Sequence, residues 1–313
     1  MFIHTPRSEG SLPSRSTFRL VKRPARGRNA LDCWIALPHI ANPDATPLVA
    51  VHGIRRCARL QAAAFAARAA ALGRPVIAPL FDSQRWSGYQ RVVERRRADL
   101  ALLALMETLR VERIWGARRF DLFGHSGGAQ FAHRFAMLYP HLIGRLSVCA
   151  AGWWTFPDRA PFPLGLGADD RAGGRWGPRI EATLPAFLSL EMAVAVGDDD
   201  DVADDATRRG IELDRQQGAD RKTRAIRWVD ALTAATGARG ITPRIRLSIL
   251  PDCGHDFAAC IRRGGLGDLV LPDVPHRFGG VGTAWPPAAT PRHPRPRPSE
   301  RHSSTPFPEG AQQ

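Results

Sequence analysis

The chain has 313 residues, 44% of them hydrophobic, and its 44 lysine and arginine residues outnumber 30 aspartate and glutamate residues to give a net charge of +14. One sizeable core can be built from this length and content, and no apolar run approaches the roughly 18 residues that a membrane-spanning helix needs. The basic residues are mostly scattered arginines without an aromatic-interleaved basic motif, so we expect no nucleic-acid partner.

The first residues and the cysteines indicate the cellular compartment of the protein. Residues 1–15 are rich in Ser, Pro and Arg, which predicts a loose N-terminal arm without the apolar segment of a secretory signal. The five cysteines show no metal-like clustering, and no phosphate-binding or dinucleotide fingerprint is present. We therefore expect a cytoplasmic protein with reduced thiols, no metal and no cofactor.

Strands alternate with helices along most of the chain. Strands are predicted at 17–21, 31–37, 47–51, 76–81, 120–124, 142–150, 192–196 and 245–250, and helices at 59–72, 89–109, 129–138 and 204–236. The first two strands are expected to form an antiparallel hairpin, and the last helix is expected to be a solvated surface helix. The alternation predicts right-handed crossovers and a mostly parallel sheet.

Two segments depart from this alternation. Residues 151–188 are rich in aromatic rings, prolines and glycines, which favours a cap or pocket lining in which Trp153, Trp154 and Phe156 would contact substrate. The alternative is that these rings complete the edge of the core. Residues 273–313 form a Pro/Arg-rich tail that is expected to be disordered, which leaves one folded domain over 16–272.

A motif for nucleophilic catalysis lies between residues 120 and 128. A short apolar run ends in Gly124-His125-Ser126-Gly127-Gly128, and a helical pattern follows. The spacing Gly-x-Ser-x-Gly places a serine at a sharp strand-to-helix turn, where its hydroxyl is exposed beside backbone N–H groups. A serine is a poor nucleophile unless a base takes its proton, and His255, which follows the strand at 245–250, is the candidate base.

The elbow around Ser126, the acidic turn at 197–201 and the segment 254–257 resemble the α/β-hydrolase superfamily. The resemblance covers roughly residues 15–270 and extends, in detail, to bacterial ester hydrolases of the esterase and polyester-depolymerase kind. It implies an α/β fold with a mostly parallel, doubly wound sheet and a short aromatic cap insertion. It also implies the chain order serine, acid, histidine.

In that family's Gly-x-x-Asp turn the fourth position carries the acid, which here is Asp200. Asp199 and Asp201 remain alternatives, and an acid at the end of the preceding strand would instead point to Asp158. The acid would hold His255 in the correct tautomer and stabilise its charged form.

The resemblance also assigns the oxyanion donors. The N–H of Gly127 is expected to provide one, and the loop after residue 51 the other, from Ile54 or alternatively Arg55. The loop lacks the His-Gly-Gly-Gly form found in some lipases, so a bulky tertiary-alcohol substrate is not implied. His52 and His125 flank the site as packing or hydrogen-bonding residues.

Three arginines near the oxyanion loop could determine whether a charged or a neutral substrate is preferred. Arg55, Arg56 and Arg59 crowd the oxyanion loop, and they would favour an anionic ester if they face the cleft. A solvated cluster that contacts no substrate is the alternative.

The sequence thus predicts a metal-independent serine hydrolase that acts on a small-molecule ester or related acyl compound through an acyl-enzyme. An acyltransferase or a cofactor-free haloperoxidase could use the same triad, and a non-catalytic binding protein could keep the fold. Nothing in the sequence names the acyl group, the alcohol or the oligomeric state.

Overall fold

The computed structural model describes residues 17–27, 29–93, 96–168 and 175–272, so the predicted arm and tail lie outside the described residues. Eight strands form one sheet in the order β1-β2-β4-β3-β5-β6-β7-β8. The strands are β1 (Phe18–Arg23), β2 (Asp32–Pro38), β3 (Leu48–Val51), β4 (Val76–Leu80), β5 (Phe120–His125), β6 (Ile143–Cys149), β7 (Glu191–Gly197) and β8 (Ile245–Leu250).

The sheet is parallel from β4 to β8, and β1 and β2 join its edge in antiparallel pairing. The eight described helices are α1 (Ala58–Ala71), α2 (Ala98–Val111), α3 (Gly127–Leu138), α4 (Trp176–Leu188), α5 (Ile211–Gln217), α6 (Arg221–Gly237), α7 (Phe257–Arg262) and α8 (Leu266–Val270). Helix α1 packs with α8, and α3 packs with α4, which also contacts α6.

The central strands are mostly buried because helices cover the sheet. All four residues of β3 and nearly all of β5 are buried, as expected for parallel strands in a doubly wound fold. The predicted α/β class, the parallel sheet and the antiparallel hairpin at its edge are confirmed. Among the described helices, none combines the length and apolar character needed to cross a membrane.

The predicted helix over 89–109 is wrong in its first half. A short 3₁₀ turn covers Tyr89–Arg91, the backbone reverses at Val92 with φ of 65°, and α2 begins only at Ala98. The cause is tertiary, because Tyr89 is buried, stacks on Phe81 at 4.9 Å and donates a hydrogen bond to the carbonyl of His52 at 2.6 Å. These contacts outweigh the local preference for a continuous helix.

The predicted single helix over 204–236 is also wrong. Gly218, with φ of 100°, separates α5 from α6, and the side chain of Asp220 caps α6 by accepting a hydrogen bond from the N–H of Thr223. The expectation of a solvated surface helix fails as well, because Trp228 and Arg224 of α6 are fully buried.

The predicted insertion at 151–188 divides into two parts. Its second half contains α4, which lies between β6 and β7 along the chain and packs on α3 as an ordinary crossover helix. Residues 150–168 remain irregular and carry the aromatic residues discussed below.

Close approach of β5 and α3 explains two glycines of the elbow. A β-carbon at Gly124 would lie 2.1 Å from the carbonyl oxygen of Gly128, and one at Gly128 would lie 2.1 Å from that of Val51. No real side chain tolerates such distances, so only glycine allows α3 to begin this close to the ends of β3 and β5.

Replacement of Gly128 by alanine is therefore expected to lower the free energy of unfolding by about 3 kcal/mol or more, because the backbone of β3 cannot move without disturbing the sheet. Urea unfolding followed by circular dichroism measures the loss. Gly267→Ala is the control, since a β-carbon there meets nothing within 4 Å. Equal stability of the two variants would contradict the steric account.

Candidate active site

Ser126 occupies the turn between β5 and α3 in a strained backbone conformation. Its φ and ψ are 56° and −119°, its N–H donates to the carbonyl of Cys149 at 2.8 Å, and its own carbonyl accepts from the N–H groups of Ala129 and Gln130. A positive φ at a residue other than glycine is unfavourable and persists only where the surroundings fix it. These backbone hydrogen bonds fix the position of the serine hydroxyl.

Three side chains from three separate turns form one hydrogen-bonded series. Nε2 of His255 lies 2.9 Å from Oγ of Ser126, and Nδ1 of His255 lies 2.9 Å from a carboxylate oxygen of Asp200. Asp200 is buried, whereas the His255 side chain is 23% exposed. The Nδ1 proton is therefore directed to the carboxylate, and Nε2 is left to accept the serine proton.

The other aspartates considered from the sequence have other contacts. Asp199 is exposed and its N–H donates to the carbonyl of Cys253 at 3.0 Å, and Asp201 lies 3.9 Å from the ammonium of Lys222. Asp158 accepts from the side chain of Gln216. Within the described part of the chain, Asp200 is the carboxylate bonded to His255.

A buried arginine pairs with Asp200 from the opposite side. The Arg221 guanidinium donates to the second oxygen of Asp200 at 3.1 Å and to Asp204 at 2.7 Å, and the Arg221 side chain is 2% exposed. Arg221 also holds the pKa of Asp204 well below its usual range. Asp200 thus accepts from both neighbours with separate oxygens, which fixes its orientation and offsets the cost of burying its charge.

The loop after β3 packs against the turn that holds Ser126. A β-carbon at Gly127 would be 3.5 Å from the backbone nitrogen of Ile54, so the backbone of Ile54 lies against the start of α3. Neither the N–H of Gly127 nor that of Ile54 donates a hydrogen bond to another described residue. Gly127 also begins α3, where the helix dipole favours negative charge.

His52 fixes the loop that carries Ile54. Its Nε2 accepts from the N–H of Phe81 at 3.0 Å, so Nδ1 carries the proton and donates to the carbonyl of Gly53 at 2.8 Å. Burial lowers the pKa of His52 to about 4, so the ring is neutral near pH 7. Tyr89 holds the same loop through the carbonyl of His52.

A cavity of about 200 Å³ opens beside Ser126. It is lined by His52, Gly53, Ile54, Arg55, Arg56, Cys57, Leu60, Gln61, His125, Ser126, Asp204, Ala206, His255, Asp256, Phe257 and Ala258. The described residues contain no cluster of histidine, cysteine and acidic side chains that could hold a metal ion.

The three aromatic residues predicted for the pocket do not line this cavity. Trp154 is fully buried and stacks on Trp228 at 4.1 Å, and Phe156 is 5% exposed. Trp153 is 4% exposed beneath the guanidinium of Arg134, at 3.9 Å. The structure therefore corrects the pocket assignment, because these rings complete the core.

The arginines of the oxyanion loop differ in their surroundings. Arg56 donates to the carbonyl of Phe81, and Arg59 lies over the ring of Trp34 at 5.6 Å, so both have structural contacts. The Arg55 side chain is exposed at the cavity and forms no ion pair or hydrogen bond with another described residue. Of the three, Arg55 is best placed to meet a ligand.

Sequence reasoning missed Arg221 and Tyr89. Arg221 is one charged residue in a strongly charged stretch, and Tyr89 is predicted to lie in a helix. No local signal distinguishes a buried polar residue from an exposed one in such stretches, because burial is set by contacts distant in the chain.

Comparison with known proteins agrees with this architecture. No protein-family model matches the chain, and no curated protein matches it. The chain is similar to the structure of poly(aspartic acid) hydrolase-1 from Sphingomonas sp. KT-1, with 22% identity, a TM-score of 0.66 and coverage of 81% of this chain and 98% of that one. A poly(3-hydroxybutyrate) depolymerase from Bordetella parapertussis gives 23% identity, a TM-score of 0.66 and coverage of 80% and 89%.

An S-formylglutathione hydrolase from Agrobacterium tumefaciens is similar at 15% identity and a TM-score of 0.53, covering 80% of this chain and 91% of that one. At these identities the likeness concerns the fold. It shows that the chain has the α/β-hydrolase fold over its described sheet and helices.

Replacement of Arg221 by leucine is expected to lower the free energy of unfolding by about 3–5 kcal/mol, because it leaves the buried Asp200 charge without one partner. Asp200 would also lose one of the two donors that fix its carboxylate. The kcat is therefore expected to fall about 10-fold or more, because a displaced carboxylate no longer holds the imidazole of His255 in place.

Arg227→Leu is the matched control, since Arg227 lies on the same helix but is exposed. Its urea midpoint and its kcat should match those of the unsubstituted protein. An Arg221 variant with unchanged kcat would show that this arginine does not act on the Asp200–His255 pair.

Proposed function

We propose that this protein is a serine hydrolase that cleaves a carboxylic ester through an acyl-enzyme. The proposal rests on one observation, the continuous series of 2.9 Å hydrogen bonds from Ser126 through His255 to Asp200. The esterases and depolymerases among the structural neighbours support the choice of an ester as substrate. The poly(aspartic acid) hydrolase extends the same chemistry to related acyl bonds.

In the first half of the reaction, Oγ of Ser126 attacks the substrate carbonyl carbon as its proton passes to Nε2 of His255. The carbonyl oxygen becomes negatively charged, and the N–H groups of Gly127 and Ile54 stabilise it. The Nε2 proton then passes to the departing alkoxide, which leaves as an alcohol. The acyl group remains bound to Ser126.

In the second half, His255 takes a proton from a water molecule as that water attacks the acyl carbon. The tetrahedral intermediate collapses, the proton returns to Oγ of Ser126, and the carboxylic acid leaves. Asp200 keeps the imidazole oriented and stabilises its charged form at both stages. Arg221 holds Asp200 in place without contact to substrate.

Uncharged histidines around the site make it easier for His255 to become positively charged during proton transfer. Burial, together with the nearby His255 and Arg221, lowers the pKa of His125 to about 3, so His125 is uncharged near pH 7. Its ring centre lies 5.2 Å from that of His255. A charged neighbour at that distance would disfavour the imidazolium on which proton transfer depends.

Labelling with a fluorophosphonate, mapped by peptide mass spectrometry, tests the nucleophile. Ser126 should carry the label, and the label should be lost in Ser126→Ala and His255→Ala. Asp200→Asn should lower kcat by about 10⁴-fold, because the imidazole tautomer is no longer fixed.

Asp201→Asn is the control, since Asp201 belongs to the same turn and does not contact His255. Its kcat should equal that of the unsubstituted protein. Folded protein that takes no label would overturn the proposal in favour of a non-catalytic binding protein. Product that partitions to added alcohol rather than water would instead identify an acyltransferase.

Substrate charge is tested through Arg55. Arg55→Ala is expected to raise KM about 10-fold for an ester with a carboxylate on the acyl chain, and to leave KM for its neutral analogue unchanged. Arg59→Ala is the control, since that guanidinium lies over Trp34. Equal effects of Arg55→Ala on both substrates would show that Arg55 does not select for charge.

A further inference from the structure

The hydroxyl of Tyr89 lies against both chain segments that carry the expected oxyanion donors. It donates a hydrogen bond at 2.6 Å to the carbonyl of His52, which stands two residues before Ile54 in the loop after β3. A β-carbon at Gly127, the first residue of α3, would lie 3.0 Å from the same hydroxyl oxygen. One side-chain atom therefore determines how closely the loop and the helix approach each other.

Neighbouring residues hold the Tyr89 side chain in one position. The residue is 2% exposed, and its ring stacks on that of Phe81 with the centres 4.9 Å apart and an interplanar angle of 11°. Burial raises the pKa of the Tyr89 hydroxyl, so the group stays protonated at neutral pH and acts as a donor. A stacked and buried ring with a satisfied hydroxyl is a rigid support for the backbone that it contacts.

Arg56 holds the loop after β3 from the other side of Ile54. Its guanidinium lies over the Tyr89 ring at 5.3 Å and donates to the carbonyl of Phe81. Its backbone N–H donates to the carbonyl of Gly53 at 3.0 Å, which closes a tight turn around Ile54. The φ of Arg56 is 59°, a conformation that a residue other than glycine keeps only where its surroundings fix it.

Small movements of this loop would affect the reaction. A β-carbon at Gly53 would lie 3.2 Å from the β-carbon of Ser126, so the loop packs directly on the nucleophile. An oxyanion donor is effective only at about 2.7–3.1 Å from the charged oxygen, and an error of about 1 Å can cost about 100-fold in rate. Tyr89 is not among the described residues that line the cavity, so its effect on the rate must pass through the backbone that it holds.

We propose that Tyr89 is a positioning residue that sets the separation of the N–H groups of Ile54 and Gly127, the two oxyanion donors. This inference rests on the proposed ester-hydrolase function and deepens it. The hydroxyl fixes the backbone before Ile54, and Arg56 fixes the backbone after it. Loss of the hydroxyl should let the two donors move apart while the hydrogen bond between Ser126 and its base is kept.

A nitrophenyl ester and its thiono analogue, in which sulfur replaces the carbonyl oxygen, test this role. Sulfur is a weak hydrogen-bond acceptor, so the oxyanion donors assist the thiono ester less. Tyr89→Phe keeps the ring and should lower kcat for the oxygen ester about 10-fold with KM unchanged. It should lower the oxygen-to-sulfur ratio of kcat/KM about fivefold, whereas general loosening of the fold would lower both rates and leave the ratio unchanged.

Tyr139→Phe is the matched control, since Tyr139 is the other tyrosine of the chain and its hydroxyl donates to Asp99. It should leave the oxygen-to-sulfur ratio unchanged. Arg56→Lys is a second variant, because lysine keeps the charge but lacks the planar group that covers the Tyr89 ring, and it should also lower the ratio. Arg59→Lys is its control, since that guanidinium also lies over an aromatic ring but at a distance from this loop's turn.

Equal losses for the two esters in Tyr89→Phe, or a ratio that neither variant lowers, would overturn the positioning role. If Tyr89→Phe does not fold, the ratio in Arg56→Lys decides the test. Fluorophosphonate labelling of Ser126 separates the two proposals. Labelled, active protein whose ratio neither variant lowers refutes the positioning role alone, and folded unsubstituted protein without label refutes the hydrolase function and the positioning role with it.

Discussion

The close approach of α3 to the ends of β3 and β5 is the constraint on which the site depends. It requires glycine at positions 124 and 128, because a β-carbon at either would overlap a backbone carbonyl. It also forces Ser126 into a positive φ, which the hydrogen bond to the carbonyl of Cys149 maintains. The backbone of Ile54 lies against Gly127 at the start of the same helix.

Charge in this site is concentrated on a few buried groups. Asp200 is removed from water and is tolerated because Arg221 and His255 each donate to a different oxygen. His52 and His125 are neutral near pH 7 because burial lowers the pKa of each. The imidazole of His255 therefore meets one well-oriented carboxylate and no competing charged histidine, an arrangement in which proton transfer needs little rearrangement.

Sequence patterns predicted the parts of this structure that depend on neighbours in the chain. Strand positions agree to within about two residues, and the elbow at Ser126 follows from its glycines and its preceding apolar run. Patterns failed where distant contacts decide the conformation. Tyr89 ends its helical turn because its ring is fixed against Phe81, and Trp154 belongs to the core because Trp228 stacks on it.

Helix α6 shows why charge along residues 204–236 does not predict a solvated helix. Charge in a helical pattern usually indicates a solvated face, but Arg221 and Arg224 turn inward to acceptors in distant segments. Arg221 reaches Asp200, Arg224 donates to the carbonyl of Gly152, and the indole of Trp228 donates to the carbonyl of Thr155.

One helix therefore holds both the proposed catalytic acid and the irregular segment that follows β6. Gln217, in the preceding helix α5, strengthens this connection, because its amide pairs with both the N–H and the carbonyl of Trp154. Burying the amide of Gln217 is tolerated because its oxygen and its nitrogen are both paired, and loss of Gln217 would leave the backbone of Trp154 without these partners. The residues that orient Asp200 and those that secure Trp154 thus lie on the successive helices α6 and α5, so the geometry of the site depends on packing well beyond the cavity.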